Sequence, residues 1–517
     1  MTKNWRPNSS DNMKAKTFPA VFLLMAVFII VGVAAMAGHE MWRDEVQAWL
    51  QARDHTSLSG VIQDTRYEKH PLAWFVILFV LSRIAADPLI MQAFHLCLAS
   101  LSAFLVFKYS PFSLIQKICV VFGYYLLFEY GVISRNYALG VLCLFLFCAL
   151  YPRFRGKPLV LSLPLFVMAN TSVHALIVVI AVGLVLGVEV FGRKELRRRW
   201  QSYLALVIIG LGGILAIFQL RPVPDSLFDR TAVLHLEFNL GLVQDVLKLL
   251  PRAYIPVPQF TFHFWNTNLL DSLSLPLVGE LAGTLLLMLL AIGLLRRKPA
   301  ALMIYILGTA GLLSWFYLAN IGFTRHHGFL FIVFFASLWL AKASPGQAAG
   351  PPAERGRTLL GERGLNGVLT VMLFAQLMAG IYALGMDFVY PFSQSKNVAR
   401  IIRNKGYQKL PIVGDFDYVV SPVSGYLGRR IYYPRAGRLG SYVRWDTRRL
   451  PVVKPWLLLT WAERYCWMKD SDCLILMNYS FDQKYESPDT LNLLVKTPRA
   501  IVKDEHYSLY LYKHKRK

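Results

Sequence analysis

Twelve apolar runs, separated by short polar and basic segments, set the layout of this 517-residue chain. They cover 18–37, 71–86, 88–107, 114–130, 137–150, 158–170, 173–191, 203–220, 276–295, 300–319, 327–341 and 366–386. Most approach the ~20 residues that a helix needs to cross a bilayer. The run at 71–86 stands apart: it is short, opens on His70-Pro71 and holds Arg83. After 386 the pattern changes. Leu410-Pro411-Ile412-Val413 and Asp472-Cys473-Leu474-Ile475-Leu476-Met477 predict strands, and 455–467, with Trp456, Leu457, Leu459 and Trp461, predicts a helix. The expected architecture is an α-helical polytopic membrane unit over 1–386 and a small C-terminal α/β domain over 387–517. A flexible linker rich in Gly, Pro, Ala and Arg is expected at 342–365.

Composition agrees with that layout. The chain is 55% hydrophobic and only 17% charged, against about 25% charged for a soluble domain. Its net charge of +24 would suggest nucleic acid in a soluble protein. Here much of the charge lies in short loops between apolar runs, where it orients helices, so no nucleic-acid partner is expected. Part of it could also meet anionic lipid or a phosphorylated substrate. Residues 18–37 exceed the ~7–15 residues of a signal-peptide core and are read as an uncleaved first helix.

Orientation turns on 71–86. If this run lies in the interface and the N-terminus (Lys3, Arg6, Lys14, Lys16) is cytoplasmic, the inner loops between residues 108 and 363 hold 17 Lys and Arg and the outer loops in that range 6. If it spans, the bias reverses. The positive-inside rule therefore predicts an interfacial helix, about 11 spans, and a periplasmic or extracellular C-terminal domain in a multi-pass protein of the plasma (inner) membrane. Cys97, Cys119, Cys143 and Cys148 lie in apolar runs and read as small core residues. Cys466 and Cys473 permit a disulfide if the tail is outside the cytoplasm.

This topology gathers titratable residues on the outer face. Asp44 and Glu45 follow the first span, where carboxylates beside lipid are costly without a task. Residues 43–55 predict an amphipathic helix whose apolar face (Trp42, Val46, Trp49) meets lipid while Asp44 faces an aqueous cavity. A carboxylate there suits removal of a proton from an acceptor hydroxyl, or it simply favours the helix N-terminus. Glu45 could be a partner, a metal ligand or solvated. Lys69 and His70 could hold a lipid phosphate, or Pro71 only starts a helix while Lys69 snorkels. Arg135 suits an anionic oxygen bidentately, or it pairs with Glu129 to fix its loop. Asn170 and His174 mark a polar break between two runs, and Arg221 opens the long outer loop. Arg325 and His326 suit charge developing on a leaving phosphate. Neighbouring histidines diverge, which argues against a metal pair at His326 and His327. His95, inside a run, reads as a packing histidine. Asp415, Asp417 and Arg429-Arg430 read as turn and surface residues.

Together these residues resemble the GT-C superfamily of membrane glycosyltransferases, which includes protein O-mannosyltransferases, lipid A aminoarabinose transferases and oligosaccharyltransferase catalytic subunits. The family's acidic residue after the first helix is matched by Asp44 with Glu45. Its interfacial helices in the first outer loop are matched by 71–86. Its Ser-Arg-rich stretch ending in Arg-x-Tyr resembles Ser134-Arg135-Asn136-Tyr137, with Glu129 standing in for a second acid. A late Arg at an outer boundary resembles Arg325. The resemblance covers 1–386 in outline and does not extend to a named subfamily for the tail.

The resemblance implies an inverting transfer. The donor would be a sugar on a polyprenyl phosphate. The acceptor would be a glycan, glycolipid or protein, with membrane lipid around the site. Asp44 and Glu45 would be catalytic. Arg135, Arg325, His70, His326 and Lys69 would hold the donor phosphate, with Glu129, Asn136, Tyr137, His174 and Arg221 as further candidates. Because only Glu129 stands where the family shows a second Asp, the resemblance implies no certain cofactor, with a divalent cation possible. A tail with 23 Lys and Arg against 12 Asp and Glu would suit an anionic acceptor. The competing classes are a transporter or flippase of lipid-linked sugars, which would carry midplane ion sites and paired repeats, and a non-catalytic binding subunit.

Overall fold

The computed structural model describes residues 9–227, 234–273, 277–343, 361–450, 453–487 and 489–514. The expected charges at Lys3 and Arg6, and the linker residues 344–360, lie outside that set. Among the described residues, nine helices are long and apolar enough to cross a membrane. They are Pro19–Gly38, Leu89–Tyr109, Tyr137–Phe154, Val173–Gly192, Trp200–Leu220, Val278–Leu295, Pro299–Leu318, Thr324–Ala343 and Arg363–Val389. The chain is a multi-pass membrane protein with a small C-terminal sheet domain.

In chain order the first helices are α1 (Ser9–Gly38), α2 (Arg43–Asp54), α3 (Leu58–Thr65), α4 (Ala73–Ile84), α5 (Leu89–Tyr109), α6 (Leu114–Val121), α7 (Tyr137–Phe154), α8 (Pro158–Ala169) and α9 (Val173–Gly192). Two runs read as spans differ from the long helices. The run 114–130 divides into α6 and a wide π turn, Tyr124–Glu129. The twelve residues of α8 rise only about 18 Å, short of a ~30 Å hydrocarbon core. The π turn lies against the helix Glu362–Val389 at Gly380. A Cβ there would come within 2.7 Å of the Phe122 carbonyl oxygen and 2.9 Å of the Tyr124 nitrogen, so only glycine fits.

The 71–86 run forms α4, which packs against α2. Arg83 closes the pair. Its Nη2 donates to the carbonyls of Ala52, Arg53 and His55 at 3.2, 2.9 and 2.8 Å, capping the C-terminal turn of α2. The apolar face of α2 does not meet lipid, as its pattern suggested. Val46, Trp49 and Leu50 are fully buried between α4 and the C-terminal helix Asp417–Leu427. Hydrophobic periodicity demands an apolar neighbour but does not say whether it is lipid or protein. Gly425 permits the close approach, since a Cβ there would stand 2.5 Å from Val46 Cγ1.

The tail holds six strands: β1 (Ile412–Gly414), β2 (Ile431–Tyr433), β3 (Arg438–Gly440), β4 (Cys473–Met477), β5 (Leu491–Lys496) and β6 (Ser508–Tyr512). Their order is β3-β2-β1-β4-β6-β5, with β1 parallel to both β2 and β4 and the other pairs antiparallel. Every residue of β4 is buried, as expected for a strand covered on both faces. Val398, Ile402, Val419 and Val423 cover the face of Ile412; Leu458, Ala462 and Tyr465 cover the face of Val413.

Cys466 and Cys473 form a disulfide (Cα–Cα 5.7 Å) tying the helix Pro455–Lys469 to β4. Cys119, Cys143 and Cys148 are buried, but Cys97 is exposed on α5 rather than in the core. Asp415 and Asp417 are not surface residues either. Both are buried, Asp415 by ion pairing with Arg435 and Asp417 with Arg449.

Candidate active site

α2 opens on Arg43-Asp44-Glu45, where acids favour the helix N-terminus. Successive helical residues point about 100° apart, and the two carboxylates diverge. Glu45 turns inward and is fully buried. Its Oε1 accepts the Ser134 N–H at 2.6 Å; its Oε2 accepts the Trp42 N–H at 3.1 Å and meets His39 Nε2 at 3.1 Å. The other His39 nitrogen lies 2.8 Å from Asp387 Oδ2. Burial pushes the His39 imidazole down, but Asp387 and Glu45 outweigh it and raise its pKa to about 10. Glu45 is therefore a structural anchor. It ties α1, α2 and the last span to the segment just before Arg135.

Asp44 turns the other way, into a pocket of about 360 Å³. Two guanidiniums converge on its Oδ2: Arg135 Nη1 at 3.3 Å and Arg325 Nη2 at 3.4 Å. Arg135 stands just before α7 and Arg325 in the first turn of Thr324–Ala343, 190 positions later in the chain. Burial raises the Asp44 carboxyl, but Arg135, then Arg325 and Arg43, more than offset this and hold it below the usual carboxylate range. Arg135 Nη1 also donates to the Asp44 carbonyl at 2.7 Å, and its Nη2 donates to His70 Nε2 at 3.3 Å. His70 thus accepts at Nε2 and is neutral; burial and the Arg135 charge lower its pKa to about 3. It lines the pocket as a neutral imidazole, not a cation.

Glu68 lines the same pocket and was not singled out from sequence. It accepts from Gln47 Nε2 at 2.6 Å. Burial, reinforced by the Asp44 charge, raises its pKa to about 8. One pocket therefore holds two carboxyls pushed in opposite directions, a pattern that separates acid from base roles. Lys69, between Glu68 and His70, takes a left-handed backbone (φ 55°) that turns both neighbours inward. Lys69 itself does not line the pocket, and burial lowers its pKa.

The remaining candidates form supporting layers. Glu129 does not pair with Arg135. It accepts from Tyr124 Oη at 3.0 Å and Trp265 Nε1 at 3.2 Å. Arg325 stacks over Trp42 and Trp265, 5.2 and 5.8 Å from the ring centres. His326 Nδ1 accepts the Phe323 N–H at 3.0 Å, which leaves Nε2 to donate to Tyr137 Oη at 2.9 Å. His174 stacks on His326 at 4.7 Å, while His327 turns away to the Ile321 carbonyl. Asn136 lines the pocket and donates to the Thr171 carbonyl at 2.6 Å. Arg221 is exposed at the end of Trp200–Leu220 and lies outside the pocket.

The C-terminal domain supplies the roof. Tyr418, Val443 and Trp445 line the pocket with Asp44. Gln47 pins this roof by exchanging both hydrogen bonds with Val443, at 2.7 and 2.9 Å. Among the described residues no cluster of three or more His, Cys, Asp or Glu is placed to hold a metal ion. The arrangement presents the Asp44 carboxylate to the pocket beside the Arg135 and Arg43 guanidiniums, while Arg325 reaches the same carboxylate from behind the pocket lining. No protein-family model and no curated protein matches this chain.

Proposed function

We propose that the chain is an inverting glycosyltransferase of the GT-C type, transferring a sugar from a polyprenyl phosphate to a hydroxyl acceptor at the outer face of the membrane. The observation that carries this reading is the convergence of Arg135 and Arg325 on one oxygen of Asp44, in a pocket that α4 borders with Trp74 and Phe75. Eleven crossings are proposed: the nine long helices plus α8 and the α6–π-turn segment. The orientation is N-terminus in, C-terminal domain out. Two features support it. The loops 129–136 and 320–327, which carry Arg135 and Arg325, hold no other basic residue of the Lys or Arg type. The helices α7 and Thr324–Ala343 begin at the site and run to the basic ends at Arg155 and Lys342.

In this mechanism Asp44 takes the acceptor proton as the hydroxyl oxygen bonds to the anomeric carbon. The bond to phosphate breaks with its electron pair, the configuration inverts, and polyprenyl phosphate departs. Arg135 and Arg325 meet the charge on the leaving oxygens. The same cations couple binding to basicity. Before donor enters they hold the Asp44 carboxyl low; a phosphate between them draws their field away, and the carboxylate becomes a stronger base. Glu68 carries its proton at neutral pH and can donate to a sugar hydroxyl or phosphate oxygen.

The test is Asp44→Asn in lipid nanodiscs, with undecaprenyl phosphate-linked hexoses as donors. Loss of turnover with donor binding retained supports the enzyme. A variant indistinguishable from wild type would favour a flippase or a binding subunit and end this reading.

A further inference from the structure

The C-terminal domain could be a separate module tethered above the membrane, but the pocket argues otherwise. Tyr418 and Trp445 stand side by side in its wall, ring centres 6.0 Å apart and planes within 28°. Both are half-buried. Arg43 lies 5.4 Å from the Tyr418 ring and Arg449 4.7 Å from the Trp445 ring, which fixes the two aromatic planes. The Gln47–Val443 exchange holds the Trp445 segment against α2. The wall is thus preset by contacts from both parts of the chain.

The place of this wall in the sheet is a second, independent pointer. β1 sends its crossover helix to β2 on one side, and β4 pairs with its other side, so strand order reverses beside β1. Open sheets bind ligands outside the carboxyl ends of strands at such a reversal. Tyr418 follows the carboxyl end of β1 by four residues, in the first turn of that crossover helix. The reversal point of the tail therefore opens onto the membrane-domain pocket.

We infer that Tyr418 and Trp445 form the saccharide-binding wall of this pocket, holding a sugar ring against Asp44. A pyranose or furanose presents a flat face of C–H bonds and a rim of hydroxyls. Two aromatic faces match the first; Glu68 and Asn136 offer polar groups to the second. A lipid tail would call for apolar lining throughout, and this pocket carries Arg43, Asp44 and Arg135. The inference rests on the proposed glycosyl transfer for its orientation toward Asp44, but the ring contact can be read separately.

The experiment uses the full chain in nanodiscs, wild type against Tyr418→Leu with Trp445→Leu, which keeps apolar volume but removes the aromatic faces. Bare undecaprenyl phosphate should bind both proteins alike. If the wall holds the transferred sugar, the double variant loses about tenfold or more in preference for undecaprenyl phosphate-linked glucose, galactose, mannose or arabinose over the bare lipid. If it holds the acceptor, that preference persists, but saturation transfer to the ring protons of the matching methyl glycosides disappears. The pair Tyr418→Phe with Trp445→Phe should retain both signals, and their loss there would overturn the inference. So would a leucine variant unchanged in both. Failure of wild type to bind bare lipid would instead count against the glycosyltransferase reading, leaving the glycoside signal to judge the wall alone.

Discussion

Arg135 grips Asp44 twice, reaching its carboxylate at 3.3 Å and its backbone carbonyl at 2.7 Å with the same Nη1. The second bond fixes the guanidinium to the helix start whatever the carboxylate does. Asp44 is then free to exchange partners without losing its neighbour. Asp44→Asn should keep the fold and donor binding while lowering turnover about 10²–10⁴-fold, the usual share of a general base. Arg135→Lys keeps a charge but cannot span both contacts and His70, so it should weaken donor binding. Titration with undecaprenyl phosphate separates the two effects.

His39 sets an alkaline limit on stability. Its folded pKa is raised to about 10, above the ordinary value of 6.5, because the charges of Asp387 and Glu45 outweigh the opposing effect of burial. A raised pKa contributes stability that is full below 6.5 and lost as pH climbs through 10. Melting temperature should therefore fall on going from pH 7 to pH 10, and His39→Gln should remove most of that slope. The variant leaves two buried carboxylates without their cation, at a cost of ~3–5 kcal/mol.

Glu68 should impose its own limit on activity. Burial and the Asp44 charge raise its pKa to about 8, so it is protonated at neutral pH and ionises above that value. Turnover should decline as pH passes 8 while Glu68 is present. Glu68→Gln, which mimics the protonated form, should retain activity at pH 7 and flatten the alkaline limb. A wild-type profile identical to that of the variant would remove Glu68 from the reaction.

The Cys466–Cys473 bridge reports on orientation. It persists where the compartment is oxidising. Alkylation of intact cells followed by mass measurement should find those two thiols protected, and reduction beforehand should add two labels. Free thiols at both positions in untreated cells would place the tail on the cytoplasmic side.

What was legible in the sequence follows physical rules. Asp44, Arg135, Arg325 and His70 stood out because charge beside an apolar run is costly, and the fold brings all four together. The adjacency of Asp44 and Glu45 suggested a shared task, but helical geometry sends them to opposite sides. The pairing of Glu129 with Trp265 rather than Arg135 depends on a residue 136 positions away. Burial of Asp415 and Asp417 depends on Arg435 and Arg449, so local composition read them as surface. Tyr418 and Trp445 had no local signal, because their place in the pocket exists only after the tail docks on α2, and Glu68 is set by a bond from Gln47, 21 positions earlier.

That docking has a consequence for assembly. The roof of the cleft is built from residues 418–445, which leave the ribosome after every long membrane helix has been made. A nascent or truncated chain can insert its helices and still possess only an open floor. The closed pocket would arrive last, when the tail has folded, its reversal point has met α2, and Gly425 has seated against Val46. On the proposed reading, the Asp44 pocket is walled only once the tail has been made, so a chain ending before residue 418 should bind no sugar there.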